Sequence, residues 1–312
     1  MGQRYFVREA KTKQELDSIL EVIWAANYTP YEPFIQLVFP VLGFTAAHRE
    51  AAINESKQRF WEQHQADRSI HWFYAFDTVT NKAVGCAQWV ISTTNPYAAG
   101  APDLKAPWWP EGEQRRFCES ILNQVYKPRA SWMARPHCAL NWMAVDPAHR
   151  LRGIGCLLMD VGVVRADELD VECWMEASAM GKPLYEKFGF QSLLKIAFDT
   201  EQPNASDEWR KSAHELTPAP IFAMWRPTKS SRQGSRGEVQ MPWTLGQVNG
   251  RQMMSGKIEY SSMTDGKIMT ETCKGMQMTS HRVDIAKESR NEHSQKAVRR
   301  RKGNSDQCLR VE

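Results

Sequence analysis

The sequence contains no long uninterrupted apolar segment. Its most apolar stretch, FIQLVFPVLGF, is broken by Gln36 and Pro40 and is too short to span a bilayer. The first ten residues, MGQRYFVREA, lack the apolar core of a secretory signal. Phe6 also stands where a myristoylation motif requires Ser or Thr. We therefore expect neither a membrane span nor a membrane anchor.

Cysteines are few and carry no recognisable spacing. The seven are scattered along the chain, no two are spaced as a metal site or a redox pair requires, and their number is odd. This pattern argues against a disulfide framework and gives no reason to expect a bound metal. It indicates reduced thiols in an intracellular protein, for which we expect a cytoplasmic location.

Positive charge is concentrated towards the C-terminal end of the sequence. Residues 228–312 carry 16 Lys and Arg against 9 Asp and Glu, a net of +7, whereas residues 1–227 carry 24 against 27, a net of −3. The body therefore gives no electrostatic reason to expect a nucleic-acid partner. The run Arg299–Lys302 matches a nuclear-localisation or nucleic-acid patch, although a solvated charge run is the simpler interpretation.

Residues 228–312 also lack hydrophobic periodicity. Stretches such as TKSSRQGSRGEVQ and NEHSQKAVRRRKGNSDQ are polar and charged, with too little apolar surface to offset the entropy of ordering. We predict a basic, mostly disordered tail over 228–312 and a globular domain over 1–227.

Within residues 1–227 the pattern alternates between strands and helices. YFVR favours an edge strand, and Thr12 with Glu15 forms a capping box before a helix. HWFYAFD and AVGCAQWVIS favour a hairpin joined through TVTNK. Further on, CALNWMAV, VECWMEAS, FQSLLKIAF and IFAMW favour strands, with helices between them. We predict an α/β (α+β) fold with a mixed central sheet flanked by helices.

The most informative stretch is HRLRGIGCLLMD, residues 149–160, which follows the strand ALNWMAV closely. Gly153 and Gly155 stand in a turn before an apolar helix, whose first turn carries unpaired N–H groups and the positive end of the dipole. Glycine lets the backbone approach a phosphate closely, and Arg150 and Arg152 add positive charge beside the turn. The pattern predicts an anion site, with an ordinary tight turn as the alternative.

Two common phosphate-binding motifs are absent from the sequence. A P-loop requires Gly, four residues, Gly, Lys and Ser or Thr, and the dinucleotide fingerprint requires a third glycine where Leu158 stands. The remaining pattern, Arg-x-x-Gly-x-Gly over 150–155, resembles the pyrophosphate loop of the GNAT superfamily of acyl-coenzyme A acyltransferases. Tyr185, Gly189 and Phe190 add the Tyr-x-x-x-Gly-Phe signature that is typical after the fifth strand of that family.

This resemblance implies an N-acetyltransferase with acetyl-coenzyme A as cosubstrate and no metal. The mostly antiparallel GNAT-like sheet would splay apart between its fourth and fifth strands, here ALNWMAV and VECWMEAS. The pantetheine arm would pair with the fourth strand, and the pyrophosphate would lie on the glycine turn. The implied cofactor-binding residues are Met143, Ala144, Val145, Arg150, Leu151, Arg152, Gly153, Ile154, Gly155, Cys156 and, near the end of the fifth strand, Ser178.

The resemblance further implies direct transfer in a ternary complex. Tyr185 would donate a proton to the leaving thiolate, and a main-chain N–H within 143–145 would stabilise the negative charge of the tetrahedral intermediate. The general base stays open, because Asn141 lies on the fourth strand, where many family members carry a carboxylate. Glu176 and Asp146 are the candidates, and a water chain is the alternative. A solvent-facing strand position for Glu176 and a turn role for Asp146 are the competing interpretations.

The acceptor is expected on the other side of the cleft, near the loop over 93–112, which holds Tyr97, Trp108 and Trp109. Aromatic side chains in a long loop suit a substrate lid, or else they plug the core beneath it. A small-molecule amine and a protein amine both remain open, as do a monomer and a homodimer. The alternatives are transfer to a hydroxyl, transfer of a longer acyl chain, a non-catalytic coenzyme A-binding module, and a nucleic-acid-binding protein driven by the tail.

Overall fold

The computed structural model describes residues 3–27, 32–233, 258–264 and 267–272. Its centre is one sheet with the strand order β1-β2-β3-β4-β5-β7-β6-β8-β9. The strands are β1 (Tyr5–Glu9), β2 (Ile70–Asp77), β3 (Lys82–Ser92), β4 (His137–Val145), β5 (Glu172–Ala177), β6 (Gln191–Ile196), β7 (Ile221–Arg226), β8 (Ile258–Thr264) and β9 (Lys267–Thr272). Among these described strands, β4 and β5 form the parallel pair and the other neighbours run antiparallel. The predicted mixed, mostly antiparallel sheet is therefore confirmed.

Helices flank this sheet, as predicted. They are α1 (Lys13–Ala26), α2 (Pro33–Val38), α3 (Ala46–Ala66), α4 (Glu113–Tyr126), α5 (Arg129–Trp132), α6 (Ile154–Leu169), α7 (Lys182–Lys187), α8 (Asp207–Leu216) and α9 (Lys229–Gln233). The capping box predicted before α1 is confirmed, because Thr12 and Glu15 each accept a hydrogen bond from the other's backbone N–H. No helix in the described ranges is long and apolar enough to cross a membrane.

Two apolar clusters lie on opposite faces of the sheet. On one face α1, α3 and α4 pack over the central strands, with Leu20, Trp72 and Phe117 fully buried. On the other face α6 packs against β3 and β4. A Cβ atom added to Gly162 would lie 2.0 Å from the Trp89 ring, so the glycine allows α6 to approach β3 closely.

β4 and β5 are paired over only part of their length. Their parallel ladder ends at the pair Leu140 and Met175. β4 has a bulge at the same point, since β3 pairs with residues 140 and 142 and leaves Asn141 without a partner. A bulge bends a strand and increases its local twist, so β4 diverges from β5 where the ladder ends. The predicted splay between the fourth and fifth strands is present.

The first residues beyond the predicted boundary at 228 remain attached to the body. Asp167 near the end of α6 accepts hydrogen bonds from Arg226 of β7 and Arg232 of α9, and Asp170 accepts the N–H of Ser230. Further along, β8 pairs with β6 and β9 pairs with β8. The run Arg299–Lys302 lies outside the described residues. The division into a domain over 1–227 and a tail over 228–312 stays a prediction.

Candidate active site

The turn that leads into α6 presents a series of backbone N–H groups that find no acceptor in the part of the chain that the structure describes. Leu151 and Gly153 both have left-handed backbone conformations, with φ of 59° and 80°. Among the described residues, none of the backbone N–H groups from 151 to 156 has an acceptor. A left-handed leucine costs about 1–3 kcal/mol, and Leu151 is fully exposed, so packing does not explain its conformation. Successive N–H groups in such a turn can together bind an anion, so this geometry is compatible with the anion site, which stays a prediction.

The two arginines of the turn occupy different environments. Arg150 donates hydrogen bonds to the carbonyl of Val145 at 3.3 Å and to the carbonyl of Ala26 at 2.7 Å. It therefore ties the turn to the end of α1, which the sequence could not show. Arg152 is exposed beside the turn, and Cys156 is exposed on the first turn of α6.

Tyr185 lies on α7 beside the start of α6. A Cβ atom added to Gly155 would lie 2.9 Å from Cδ2 of Leu184, so α7 packs directly on the turn. Tyr185 belongs to the same apolar cluster as Met143 and Val145 of β4. Burial raises the pKa of Tyr185 to about 12, so its hydroxyl is protonated at neutral pH. The structure thus brings the turn, β4 and Tyr185 together on one face of the sheet.

Among the described strands, the edge of β4 that faces β5 is paired only as far as Leu140. Met143 and Val145 direct their side chains to the cluster beneath α6, and Ala144 directs its side chain to the opposite cluster. An unpaired strand edge offers main-chain donors and acceptors to an extended ligand. The main-chain edge of residues 143–145 is open to such a ligand, and its role in binding the cosubstrate stays a prediction.

Asp146 and Ser178 both take part in turns. The Asp146 carboxylate accepts the N–H of Ala148 at 2.8 Å and caps a short 3₁₀ helix, Pro147–His149. The Ser178 hydroxyl accepts the N–H of Gly181 at 3.2 Å, just before α7. Their assigned roles, base for Asp146 and cofactor contact for Ser178, stay predictions.

Glu176 is buried and paired, so the competing interpretation of a solvent-facing strand position was wrong. Its carboxylate accepts two hydrogen bonds from the guanidinium of Arg129, from Nε at 2.9 Å and from Nη2. The side chains of Arg129 and Glu176 are only 8% and 6% exposed. Arg129 also donates from Nη1 to Oδ1 of Asn141 at 3.2 Å. One arginine therefore contacts both strands at the point where they separate.

Sequence reasoning missed Arg129 entirely. It lies on the four-residue helix α5, 47 positions before Glu176, and no local motif surrounds it. Its guanidinium carbon lies 4.3 Å from the centre of the Tyr126 ring, and burial raises the pKa of that tyrosine. The available signal was an arginine followed later by an unpaired acidic residue on a buried strand, which is too common to be specific.

The aromatic residues of the 93–112 loop are mostly part of the core. The indole N–H groups of Trp108 and Trp109 both donate to the carbonyl of Leu37, at 2.8 and 3.0 Å. Trp109 is 5% exposed, and Tyr97 packs at the edge of the cluster around Trp174. Of the two interpretations, a substrate lid or side chains that fill the core beneath the loop, the second describes Trp108 and Trp109. Within the described ranges, no group of three or more His, Cys, Asp or Glu side chains could hold a metal ion.

Residues 120–192 match the family model described as the acetyltransferase (GNAT) domain. This span includes β4, the glycine turn, α6, β5 and Tyr185. The predicted resemblance to the GNAT superfamily is confirmed. The match covers the part of the sheet that splays and the glycine turn before α6.

Individual relatives of this GNAT-like chain are distant. An uncharacterized N-acetyltransferase of Schizosaccharomyces pombe is 26% identical over 114 residues, which are 35% of this chain and 47% of that protein. The chain thus spans about half the length of this curated relative. A histone acetyltransferase HPA2-related structure from Corynebacterium glutamicum is 19% identical, covering 72% of this chain and 97% of its own, with a TM-score of 0.44. PaiA N-acetyltransferase of Thermoplasma acidophilum, solved with coenzyme A, is 14% identical, covering 72% and 99%, with a TM-score of 0.36.

Proposed function

We propose that this protein is an acetyl-coenzyme A-dependent N-acetyltransferase. The observation that carries the proposal is the series of backbone N–H groups from 151 to 156, which have no acceptor among the described residues and follow the strand that splays from β5. These groups suit a diphosphate, because they combine backbone donors with the positive end of α6. Arg152 adds charge beside them, while Arg150 holds the turn in place.

The backbone of 143–145 then receives the extended arm of the cosubstrate along the open edge of β4. Main-chain pairing of this kind is independent of side-chain identity and aligns the arm with the strand. It leads the reacting end towards the splay and Tyr185. A main-chain N–H of the same segment stabilises the negative charge that develops when an amine attacks the thioester.

Tyr185 supplies the proton that the leaving thiolate requires. Its burial keeps the hydroxyl protonated, and among the described residues no group accepts a hydrogen bond from this hydroxyl. A phenol that is neutral across the physiological range is suited to act as a general acid. Two further residues are proposed to contact the cosubstrate: Cys156 on the first turn of α6 and Ser178 in the turn before α7.

Deprotonation of the amine is the step with several candidate groups. Glu176 lies at the splay, yet both of its carboxylate oxygens already accept hydrogen bonds from Arg129. Asp146 lies at the far end of β4 and uses Oδ1 in its turn. We propose that water in the cleft carries the proton to solvent, and that Glu176→Gln and Asp146→Asn are the variants that test a side-chain base.

The acceptor is proposed to be a small-molecule or protein amine, used by a monomer or homodimer. A second candidate, a non-catalytic coenzyme A-binding module, is favoured by one observation: Asn141 and Glu176, the side chains at the splay, are both held by Arg129. Transfer to a hydroxyl or of a longer acyl chain is the alternative within the same enzyme class.

Thermal unfolding of the full chain with and without acetyl-coenzyme A tests the cofactor site. A ligand at a hundred times its dissociation constant stabilises by about 2.7 kcal/mol, which raises Tm by several degrees. Free-thiol release with a panel of small amines and peptides then separates the enzyme from the binding module, because only the enzyme turns over. A folded protein without any shift at millimolar acetyl-coenzyme A would contradict both.

A further inference from the structure

We propose that Arg129 is a positioning residue that fixes the opening between β4 and β5, and thereby the binding of the acyl-carrying arm. The proposal rests on the proposed acetyl-coenzyme A site and adds a residue to it. Arg129 contacts neither the glycine turn nor Tyr185 in the described structure. It acts through the two strands that it joins.

The location of the contacts carries the argument. The ladder between β4 and β5 ends at Leu140 and Met175. The next residue on each strand accepts a hydrogen bond from Arg129. Asn141 is the bulged residue of β4, and Glu176 is the first residue of β5 beyond the ladder. The guanidinium therefore continues the connection between the strands where backbone pairing stops.

The chemistry of the bridge makes it rigid. A guanidinium is a planar fork, and here Nε and Nη2 are directed at one carboxylate while Nη1 is directed at Asn141. A lysine ammonium is a point charge on a flexible stem and cannot hold all three acceptors in one plane. The ring of Tyr126 lies against the guanidinium, with its centre 4.3 Å from the guanidinium carbon, and restricts its tilt.

The burial of this pair points to a role beyond stability. Both side chains are at least nine-tenths buried, and removing two charges from water offsets most of what their attraction contributes. Apolar residues would fill the same volume without that cost, yet they would form no directional hydrogen bonds to either strand. An arginine with acceptors on both strands forms such bonds to both. The main-chain groups of 143–145 and of β5 then keep a spacing into which a ligand fits.

Acetyl-coenzyme A and ADP together test this inference in the full chain by calorimetry. ADP serves as a probe of the glycine turn alone, whereas acetyl-coenzyme A also requires the splay. Arg129→Lys and Asn141→Ala are expected to raise Kd for acetyl-coenzyme A about tenfold or more, since ångström-scale misplacement has effects of this size. Neither variant is expected to change the affinity for ADP by more than about twofold.

Asn141→Ala keeps the ion pair intact and removes only the link to β4, so it tests the bridge even if Arg129→Lys folds poorly. Arg135→Lys is the matched control. Arg135 also forms a bidentate ion pair with a β5 carboxylate, Glu172, but at the end where the strands are still paired. It should lower Tm without changing either affinity.

Three results would overturn the inference: acetyl-coenzyme A affinity unchanged in a folded Asn141→Ala protein, equal losses for ADP and acetyl-coenzyme A, or an equal loss in Arg135→Lys. Failure of the proposed function has a different signature, because the wild-type protein would then bind neither probe.

Discussion

The ring of Tyr185 lies directly over the α-carbon of Gly181. A Cβ atom added to Gly181 would lie 2.8 Å from Cε2 and 3.1 Å from the hydroxyl of Tyr185. The backbone of Gly181 is right-handed helical, with φ of −78°, so any side chain is sterically acceptable to its own backbone. The absence of a side chain at Gly181 therefore leaves the space that the Tyr185 ring occupies.

Gly181→Ala is accordingly expected to displace the Tyr185 hydroxyl and to reduce kcat about tenfold to a hundredfold, the range typical of a misplaced proton donor. The effect should be absent in a Tyr185→Phe background, since two residues that act through one hydroxyl are not additive. Steady-state kinetics of the two single variants and the double variant measure this. A full additional loss in the double variant would show that Gly181 acts on the fold and not through Tyr185.

The proposed role of Tyr185 as the general acid predicts the pH dependence of catalysis, because burial raises the pKa of Tyr185 to about 12. A general acid is active while protonated, so activity should be lost only as the pH rises through that raised value. We expect kcat at saturating amine to stay level between about pH 8 and 10, where an ordinary tyrosine with a pKa of about 10 would begin to ionise. A descending limb centred near pH 10, absent from Tyr185→Phe, would contradict this.

Local features of the site were predictable from the sequence because they depend on residues close together in the chain. The glycine turn, the strand before it and the position of Tyr185 on a short helix all follow from spacing. The side of α6 that faces the sheet was less predictable. The apolar residue Val164 is 53% exposed, whereas Gly162 is buried against Trp89. The close approach of α6 to β3 at Gly162 therefore decides which side of the helix faces the sheet, and this contact is distant in the sequence.

Long-range pairs could not be predicted at all. The contact of Arg129 with Glu176 depends on which strands become neighbours, and the bulge at Asn141 depends on the register of β3 with β4. Neither leaves a local pattern. For the same reason a buried, paired Glu176 and an exposed one cannot be told apart in the string VECWMEAS.

Two left-handed glycines, Gly153 and Gly100, allow binding and stability to be separated. Their φ angles are 80° and 85°, and a Cβ atom added to either would meet nothing within 4 Å. Substitution by alanine should therefore cost each protein about 1–2 kcal/mol of unfolding free energy through backbone strain alone. Gly153→Ala should also weaken acetyl-coenzyme A binding, because the strained turn relaxes away from the anion.

Urea unfolding and calorimetry of the two variants test this pair. Gly100, in the 93–112 loop, is the control and should bind acetyl-coenzyme A like the wild type. Equal affinities in Gly153→Ala and Gly100→Ala, with equal losses of stability, would mean that the turn does not need its left-handed geometry to bind.

Acid sensitivity should centre on Asp77, whose side chain is fully buried at the end of β2. Hydrogen bonds from Arg4, at 2.8 and 2.9 Å, hold the pKa of this carboxyl well below its usual range. A lowered native pKa contributes stability above the unfolded value of about 3.9, and that stability is lost as the pH falls through the native pKa. Asp77→Asn should therefore be destabilised at pH 7, with a difference from wild type that shrinks below about pH 4.

Urea unfolding between pH 7 and 3 measures this difference in unfolding free energy. The control is Asp207→Asn, whose aspartate is 98% exposed, and it should change stability by less than about 0.5 kcal/mol. A constant Asp77→Asn deficit down to pH 3 would show that the loss is one of packing, independent of the charge.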